Sequence, residues 1–302
     1  MKRRIKTGIG LWQKAATVLC PGVYFKAIMD KQRGFGPFCT LSFDCDFRRD
    51  IEALPAVIAL LERYDCTASF ACIGRWVREY PQIHRDLKAA GHELLNHTAT
   101  HPNLYHPDYD YAREDSLSRE RFNQISVEQR KEEIQRCHEI LLETLDYCPT
   151  GFRTPHFGVL HVDDVYGLLR DLGYTFSSSV CAAATGGTPF CTAEGIWEFP
   201  LSACPQHPFG VFDTWHSLSK HQPSHAAPGD FAHLFSVLYG SVEEAGGYIN
   251  TYFDPKEVLE SGELERILQF LSTREIPVVT YQQVLATLQT ESAPQILAEV
   301  QS

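Results

Sequence analysis

From residue 38 onward, short apolar runs alternate with longer segments in which apolar residues recur at helical spacing. Repetition of this strand and helix unit is typical of α/β folds with a largely parallel sheet. Strands are predicted at residues 38–43, 67–73, 92–95, 151–153, 175–177, 196–200, 248–253 and 277–280. About seven strands with helices between them favour a deformed (β/α) barrel, closed or nearly closed, over an open sheet.

The helical segments also show where the alternation is interrupted. Helices are predicted at residues 53–63, 126–145, 230–245 and 255–272. The second begins with Ser126 and Gln129 in the order of a capping box. Before it, the polar passage 105–123 is predicted to be a surface loop near a site.

The pattern divides the chain into three parts. Residues 1–36 form a basic N-terminal arm, residues 37–290 the barrel and residues 291–302 a C-terminal tail. No internal repeat or linker divides the barrel segment, and its length suffices for one large domain.

Charge is distributed unevenly along the chain. The formal net charge of −11 excludes a general nucleic-acid binder, because phosphate neutralisation needs a basic surface. Residues 1–36 nevertheless contain eight lysines and arginines against a single acid, Asp30. With Trp12, Leu19 and Phe25 interleaved, this arm is suited to peripheral contact with an anionic membrane. The alternative is an arm that packs on the acidic body of the same chain.

The cysteine pattern and the hydropathy of the chain predict its cellular compartment. Ten cysteines are scattered without a C-x-x-C pair, which favours buried, reduced thiols in a cytoplasmic protein. The apolar segment 15–25 is interrupted by Pro21 and Gly22, so a cleaved signal peptide is not expected. No uncharged stretch reaches the ~18 residues of a membrane span. The expected location is the cytoplasm, including the inner face of the membrane.

Two acids end the first predicted strand. Asp44 and Asp46 project to the same face if the strand continues through Cys45, because side chains alternate along a strand. In a parallel α/β architecture the carboxyl ends of strands carry the reactive residues. Two carboxylates here suit a metal or general-base site, and they equally suit a solvated turn or a helix cap.

Two histidines follow the third predicted strand. His97 and His101 have an H-x-x-x-H spacing, which places both imidazoles on one face of a helical turn. Imidazoles together with a carboxylate suit Zn²⁺, and three protein ligands leave one position open for water. The same spacing recurs at His221 and His225, where Pro223 prevents a regular helical turn and makes the pair a weaker candidate.

The fourth predicted strand ends in a Phe-Arg-x-Pro motif that contains Arg153 and Pro155. An arginine here can hold a carboxylate with two hydrogen bonds. The order of an acidic pair, H-x-x-x-H and Phe-Arg-x-Pro resembles the polysaccharide deacetylase family, the NodB-homology carbohydrate esterases, in its F-D-x-D variant. The resemblance extends over residues 38–288.

The resemblance implies a reaction and a set of residues for it. It implies that Asp46, His97 and His101 hold one divalent metal, with Zn²⁺ expected, and that Asp44 is the catalytic base tethered by Arg153. Such a metal polarises an amide carbonyl and lowers the pKa of its bound water towards ~7. The implied enzyme is a hydrolase of non-peptide carbon–nitrogen bonds. It removes an acetyl or formyl group from an amino sugar of a glycan or lipid-linked glycan precursor.

One position departs from the family pattern. Family members usually carry a histidine before a proline near the last strand, where it protonates the departing amine; here Asp254 precedes Pro255. Asp254 can take this catalytic role only if burial or a neighbouring carboxylate raises its pKa. The alternatives are His156 or His216 as the proton donor, loss of this step, or a helix cap at Asp254 without a catalytic role.

A substrate pocket is predicted from the residues near these motifs. Phe157 and Trp215 are the aromatic side chains expected to contact a sugar. The predicted lining is Pro155, His156, Phe157, Trp215 and His216.

Two other functions stay open. One is hydrolysis of a non-sugar amide or imide, which related barrels carry out by the same metal chemistry. The other is a catalytically impaired glycan-binding module, because the expected histidine is absent at position 254. A carbohydrate or lipid-linked sugar is the expected partner, and the sequence carries no signal for an oligomeric state.

Overall fold

The computed structural model describes residues 15–16, 18–32, 34–102, 120–219 and 223–290. Its centre is an eight-stranded sheet. Seven strands run parallel, and one strand at the edge of the sheet runs antiparallel to its neighbour. The strands are β1 (Phe38–Cys45), β2 (Ser69–Cys72), β3 (Glu93–Asn96), β4 (Gly151–Phe152), β5 (Phe176–Ser177), β6 (Phe190–Cys191), β7 (Trp197–Glu198) and β8 (Tyr248–Phe253). Their order across the sheet is β6-β7-β5-β4-β3-β2-β1-β8.

Helices occupy the connections between the parallel strands, as a right-handed crossover requires. The described α-helices are α1 (Pro21–Asp30), α2 (Arg48–Arg63), α3 (Gly74–Glu79), α4 (Pro81–Ala89), α5 (Val127–Leu145), α6 (Phe157–Leu160), α7 (Val165–Asp171), α8 (Ala182–Thr185), α9 (Asp230–Ala245), α10 (Pro255–Glu260), α11 (Glu263–Thr273) and α12 (Tyr281–Thr290). A five-residue π-helix spans Trp215–Ser219.

The sheet closes almost completely into a barrel. Segment 201–213 lies between β7 and β8 and joins them: the backbone N–H of Ser202 donates to the carbonyl of Asn250 at 2.8 Å, and Asp213 pairs with Tyr252 in a parallel bridge. The predicted deformed (β/α) barrel of about seven parallel strands is confirmed.

Strand β1 runs through the middle of the core. From Cys39 to Cys45 every residue of β1 is buried, as expected for a parallel strand that is covered on both faces. Phe43 stacks on Phe70 of β2 with ring centroids 4.8 Å apart. This packing fixes the direction in which the chain leaves β1, and therefore the position of the acids at its end.

The start of α5 and the position of α9 agree with the sequence pattern. Ser126 Oγ accepts the Gln129 N–H at 3.2 Å and Gln129 Oε1 accepts the Ser126 N–H at 2.8 Å, so the predicted capping box is formed. Helix α9 has the predicted bounds. The predicted surface loop 105–123 lies mostly outside the described residues.

Three sequence expectations about elements are wrong. The predicted helix 255–272 is two helices, α10 and α11, because Gly262 between them has a φ of +73°. The predicted strand 277–280 is reduced to a single bridge between Val278 and Cys39. Strand β6 was not expected, because two residues carry no periodic signal.

Helix α1 places part of the N-terminal arm in the core. Phe25, Ile28 and Met29 are buried in the main apolar cluster, whereas Val18 and Leu19 just before the helix are exposed. Among the described residues, none of the helices has the length and apolarity that a membrane crossing would need.

The cysteines are less uniform than their sequence pattern suggests. All ten are free, and five of them are buried. Cys20, Cys148 and Cys191 are exposed, so the prediction of buried thiols is wrong at these three positions.

Candidate active site

Three neighbouring parts of the sheet deliver side chains to one rim of the barrel. Strands β1, β3 and β4 run parallel, so their carboxyl ends lie on the same side. Asp46 follows β1, His97 follows β3 and Arg153 follows β4. Parallel pairing therefore brings together residues that are far apart in the sequence.

Asp46, His97 and His101 converge on one point. The Nε2 atoms of His97 and His101 lie 3.3 Å and 3.4 Å from Oδ1 of Asp46. In the described part of the chain, these three atoms are buried without a hydrogen-bond partner. Buried polar atoms are nearly always satisfied, and a carboxylate with two imidazoles is a zinc-type ligand set. The residues present therefore fit a divalent metal.

A second contact of the His97 ring fixes its orientation. Nδ1 lies 2.8 Å from the carbonyl oxygen of Arg153. Because a carbonyl can only accept, Nδ1 carries the proton and the lone pair of Nε2 points towards Asp46. A backbone carbonyl behind a ligating histidine is a common support for a metal site.

The segment 97–101 is a loop, so the prediction of a helical turn at the H-x-x-x-H motif is wrong. Thr98 and His101 have φ angles of +68° and +56°. A positive φ is costly for a β-branched residue such as threonine, and strained backbone of this kind is concentrated at functional sites. The two imidazoles meet because of this unusual backbone rather than through helical periodicity.

Hydrogen bonds from two directions hold the strained loop. Oδ1 of Asn96 accepts the Thr98 N–H at 2.8 Å. From α5, the carboxylate of Glu133 accepts the N–H and the hydroxyl of Thr100 at 2.9 and 2.8 Å. The loop therefore depends on a helix that begins only after the polar insertion.

Asp46, His97 and His101 are called the trio below. Burial and the neighbouring charges shift the pKa values of these three residues in opposite directions. Burial raises the pKa of Asp46, but the neighbouring His101 and His97 outweigh it and hold the pKa at about 2. Burial lowers the pKa of His101 to about 4. For His97 the effect of burial is outweighed by Asp46 and Asp44, so the pKa lies above its usual value. A cation held by the trio would thus meet an ionised Asp46 carboxylate and a neutral His101 imidazole.

Arg153 uses every donor of its buried guanidinium. Nη1 donates to Oδ1 of Asp44 at 2.6 Å and to Oγ of Ser42 at 2.9 Å. Nη2 donates to Tyr281 Oη at 2.7 Å and to Ser178 Oγ at 3.1 Å, while Nε donates to the Ser178 carbonyl at 3.1 Å. Arg153 contacts Asp44 through one oxygen, not through the two hydrogen bonds expected from the sequence. The other contacts lock the arginine in place.

Asp44 is held beside the trio and is almost completely buried. Burial raises the pKa of its carboxyl, and the Arg153 and His97 cations oppose this rise. A carboxylate in such surroundings has greater proton affinity than one in water, which suits a general base.

Three residues in the Arg153 network have little or no local signal in the sequence. Ser42 lies two positions before Asp44 on β1, so alternation alone places it on the same face. Ser178 follows β5, and Tyr281, at the start of α12, is separated from Arg153 by 128 positions. No local signal connects Tyr281 to the site, because only the closure of the barrel brings the start of α12 under the arginine.

Asp254 is tied to the π-helix rather than to α10. Its backbone N–H donates to Thr214 Oγ1 at 2.6 Å, and its Oδ2 accepts hydrogen bonds from Thr214 Oγ1 at 2.8 Å and Ser219 Oγ at 3.3 Å. The side chain makes no capping bond to α10, so a helix-capping role does not explain it. Burial raises its pKa well above the usual value, and the nearby carboxylates of Glu257 and Asp50 add to the rise.

His216 is oriented by a buried carboxylate. Its Nδ1 lies 3.0 and 2.9 Å from the two oxygens of Asp213, and Asp213 Oδ1 also accepts the backbone N–H of His216 at 2.7 Å. The Asp213 side chain has no exposed surface, whereas 42% of the His216 side chain is exposed. The imidazole is thus anchored at one nitrogen and open to solvent elsewhere.

The predicted pocket residues flank the same rim. Phe157 meets Tyr252 edge-on at 5.1 Å, and Trp215 packs on the same small cluster around Tyr252. His156, which has a φ of +53°, helps to lower the pKa of both trio members Asp46 and His101 and therefore lies near them. Pro155 is buried, and Phe157, Trp215, His156 and His216 are half-buried.

Part of this sequence, and the fold, are similar to those of known proteins. Residues 36–177 match the polysaccharide deacetylase family. A chitooligosaccharide deacetylase of Azorhizobium caulinodans is 46% identical over 50 residues, which are 17% of this chain and 24% of that protein. The chain thus matches about a quarter of the length of this curated relative.

Two solved structures show the breadth of the fold. One, named as a polysaccharide deacetylase of Mycobacterium smegmatis, superposes with a TM-score of 0.62 at 18% identity, covering 85% of this chain and 92% of the other. An allantoinase superposes with the same TM-score of 0.62 at 12% identity, covering 84% and 90%. At these identities the likeness establishes the barrel, not the reaction.

The matched segment includes the acidic pair, the two histidines and the arginine that converge at the rim. The three motifs on which the sequence resemblance rests thus lie inside the matched region, and residues 36–177 are similar to the polysaccharide deacetylase family.

Proposed function

We propose that this protein is a metal-dependent hydrolase that removes an N-acyl group from an amino sugar. The observation that carries the proposal is the set of buried, unpartnered ligand atoms on Asp46, His97 and His101, beside an aspartate that is locked by an arginine. Asp44 and Arg153 have no comparable explanation as surface or capping residues, because both are buried.

Asp46, His97 and His101 would hold the metal, with Zn²⁺ expected at one ion per chain. When bound, the ion supplies Lewis-acid polarisation of the acyl carbonyl and makes water more acidic. Asp44 accepts the proton of the attacking water, since burial gives it proton affinity. Arg153 keeps Asp44 in position for this transfer, because its other donors are fixed by Ser42, Ser178 and Tyr281.

The departing amine needs a proton, and Asp254, His156 and His216 are the candidates. Asp254 has the raised pKa that the role requires, but its Oδ2 already accepts bonds from the π-helix. His216 is open to solvent and is oriented by Asp213, the arrangement of a histidine that delivers protons. We favour His216 as donor, with Asp254 positioning the π-helix that carries it; the family-based prediction of Asp254 as the acid is the alternative.

The substrate is proposed to be an N-acetylated or N-formylated sugar in a glycan or a lipid-linked precursor. Phe157 and Trp215 offer half-buried aromatic faces near the rim, and such faces stack on sugar rings. Pro155 and His156 would line the same pocket.

A deacylation assay tests the proposal. Chitooligosaccharide and an N-formylated amino sugar are incubated with Zn²⁺-loaded protein, and free amine and released acid are measured. We expect turnover that falls at least ~10²-fold in Asp44→Asn, while exposed Asp171→Asn, the control, stays at the wild-type level. An imide offered in parallel tests the non-sugar alternative, and sugar binding without any amine release would instead support a glycan-binding module.

Metal content tests the ligand assignment separately. Asp46→Ala and His97→Ala are each expected to lose the ion that supports turnover, because a site with two remaining ligands binds zinc weakly. Full retention of that ion by both variants would overturn the assignment even if the wild type proves active.

We further propose peripheral contact between residues 1–36 and an anionic membrane on the cytoplasmic side. Val18, Leu19 and Val23 are exposed by more than 70% and lie near Lys26. Removing residues 1–19, which leaves α1 intact, should reduce cosedimentation with phosphatidylserine vesicles. The control is Val237→Ser, which removes an exposed apolar side chain on α9; an equal loss in this variant would contradict the proposal.

A further inference from the structure

A second group of ligand-type side chains lies outside the catalytic trio. Cys204 and His207 belong to one turn, and His225 comes from the chain that follows the π-helix. The thiol and one ring nitrogen of each histidine lie within 4.8 Å of one another. Neither the deacylation chemistry nor the core packing uses these three residues together.

The turn that carries Cys204 is built by a short hairpin. Ala203 and Val211 form an antiparallel bridge, and the Cys204 N–H donates to the carbonyl of Gly210 at 3.0 Å. Burial raises the pKa of the Cys204 thiol, and the nearby backbone N–H groups of His207 and Gln206 oppose this rise. Cys204 and His207 are separated by two intervening residues, a spacing found in zinc-binding turns, and a bound metal would favour the thiolate over the thiol.

His225 supplies the observation that points to a ligand. The residue is 8% exposed, and within the described chain its Nε2 is buried without a hydrogen-bond partner. A buried imidazole nitrogen with nothing to bind is costly. Its backbone N–H donates to the Ser217 carbonyl at 3.3 Å, which attaches this residue to the π-helix.

The chemistry of the three donors selects the ion. A thiolate with two imidazoles prefers Zn²⁺ or a similar borderline metal over Ca²⁺ or Mg²⁺, which take oxygen ligands. Donor atoms around a tetrahedral zinc are about 3.4–3.6 Å apart, so closing the cluster needs movements of about 1 Å. His207 is exposed, so its side chain can make most of that adjustment.

We propose that Cys204, His207 and His225 form a second, structural Zn²⁺ site that clips the 202–212 hairpin to the chain after the π-helix. Asp213 and His216 lie between the two clipped segments, and the Ser224 N–H already donates to the His216 carbonyl at 3.2 Å. The clip thereby braces the loop that presents His216. It uses no residue of the catalytic trio.

Cobalt substitution distinguishes this site from the trio, which contains no sulfur. Protein loaded with Co²⁺ is expected to show a near-ultraviolet sulfur-to-cobalt charge-transfer band at one equivalent per chain. Cys204→Ser should abolish the band, and His207→Ala should weaken cobalt binding at this site at least ~10-fold. Cys191→Ser, a matched control at an exposed cysteine, and His97→Ala, which disables the trio, should both keep it.

The opposite outcomes overturn the proposal. Absence of the band in wild-type protein with excess Co²⁺, or its persistence in Cys204→Ser, would exclude a thiolate site here. Because Cys204 is buried and its variant can misfold, His207→Ala provides an independent measurement at an exposed position. An unchanged cobalt affinity of the charge-transfer site in His207→Ala would likewise reject the three-ligand cluster.

Discussion

At the scale of single residues, the site is organised by Arg153. A guanidinium has five N–H donors, and here all five meet oxygen acceptors from Asp44, Ser42, Ser178 and Tyr281. Burial of a charge without such partners would cost several kcal/mol. The arginine is therefore both a clamp on Asp44 and the point where four distant parts of the chain meet.

Replacing Arg153 by lysine should be costly although the charge is kept. An ammonium has three donors and no planar fork, so acceptors are left unpaired in a buried cavity. We expect the free energy of unfolding to fall by about 2–4 kcal/mol, measured by urea denaturation.

The exposed pair of Arg63 with Glu265 offers a matched control. Arg63→Lys should change stability by less than ~0.5 kcal/mol, because exposed ion pairs contribute little. Equal losses of unfolding free energy in Arg153→Lys and Arg63→Lys would mean that the hydrogen bonds around Arg153 do not contribute to stability as proposed.

Asp254 provides a prediction about pH. Burial first, and then neighbouring carboxylates, raise its pKa in the folded protein. Its protonated form therefore favours folding fully below the unfolded pKa of about 3.9, and this contribution is lost as the pH rises through the folded pKa. Asp254→Asn has no such proton to lose. The melting temperature of the wild type should thus fall relative to that of Asp254→Asn as the pH rises. If the two melting temperatures change in parallel with pH, the pKa of Asp254 is not raised in the folded protein.

The same variant distinguishes Asp254 from His216 as the proton donor. If Asp254 only positions the π-helix, Asp254→Asn keeps an acceptor for Thr214 and retains most turnover, whereas His216→Gln loses most of it. The reverse ranking would identify Asp254 as the acid.

At the scale of elements, the loop 97–101 shows how neighbouring structure compensates local strain. Thr98 and His101 adopt positive φ angles that their side chains disfavour. Asn96 from the end of β3 and Glu133 from α5 supply the compensating hydrogen bonds. The loop is thus specified by two elements on either side of a long insertion.

Glu133 should accordingly affect metal affinity without touching the metal. In Glu133→Ala, Thr100 loses both of its bonds to α5, the loop relaxes, and the affinity for Zn²⁺ at the trio should fall about 10–100-fold. Titration with a competing chelator measures this loss. Glu132→Ala, at the exposed neighbouring position, should leave affinity unchanged; a comparable drop there would indicate a general effect of charge.

At the scale of the whole molecule, α1 shows that the barrel and the basic arm are not cleanly separable. Phe25, Ile28 and Met29 join the same apolar cluster as the barrel helices, although the sequence pattern groups them with the arm. The boundary predicted at residue 36 marks a change in charge, not an end of packing.

Mutation of α1 distinguishes its two faces. Phe25→Ala should lower the free energy of unfolding by about 3–5 kcal/mol, because it leaves a cavity in the core. Val23→Ala, on the exposed face, should change it by less than ~0.5 kcal/mol. Thermal or urea unfolding of both variants measures the difference. If Phe25→Ala leaves the free energy of unfolding unchanged, α1 does not pack tightly on the core.

The sequence by itself predicted the barrel and the order of its main elements, and it singled out Asp44, Asp46, His97, His101 and Arg153 as the candidate site. It could do so because buried parallel strands are short apolar runs, and because the reactive residues sit immediately after them. These are local signals, readable within a few positions.

Only the tertiary structure decided the rest. The positive φ angles at Thr98 and His101, the contact of Tyr281 with Arg153, and the attachment of Asp254 to the π-helix have no local signature. Each arises from contacts between segments that are distant in sequence, whose partners are set by barrel closure. Tertiary packing overrides local preference here, because hydrogen bonds from neighbouring elements compensate the cost of an unfavourable backbone conformation.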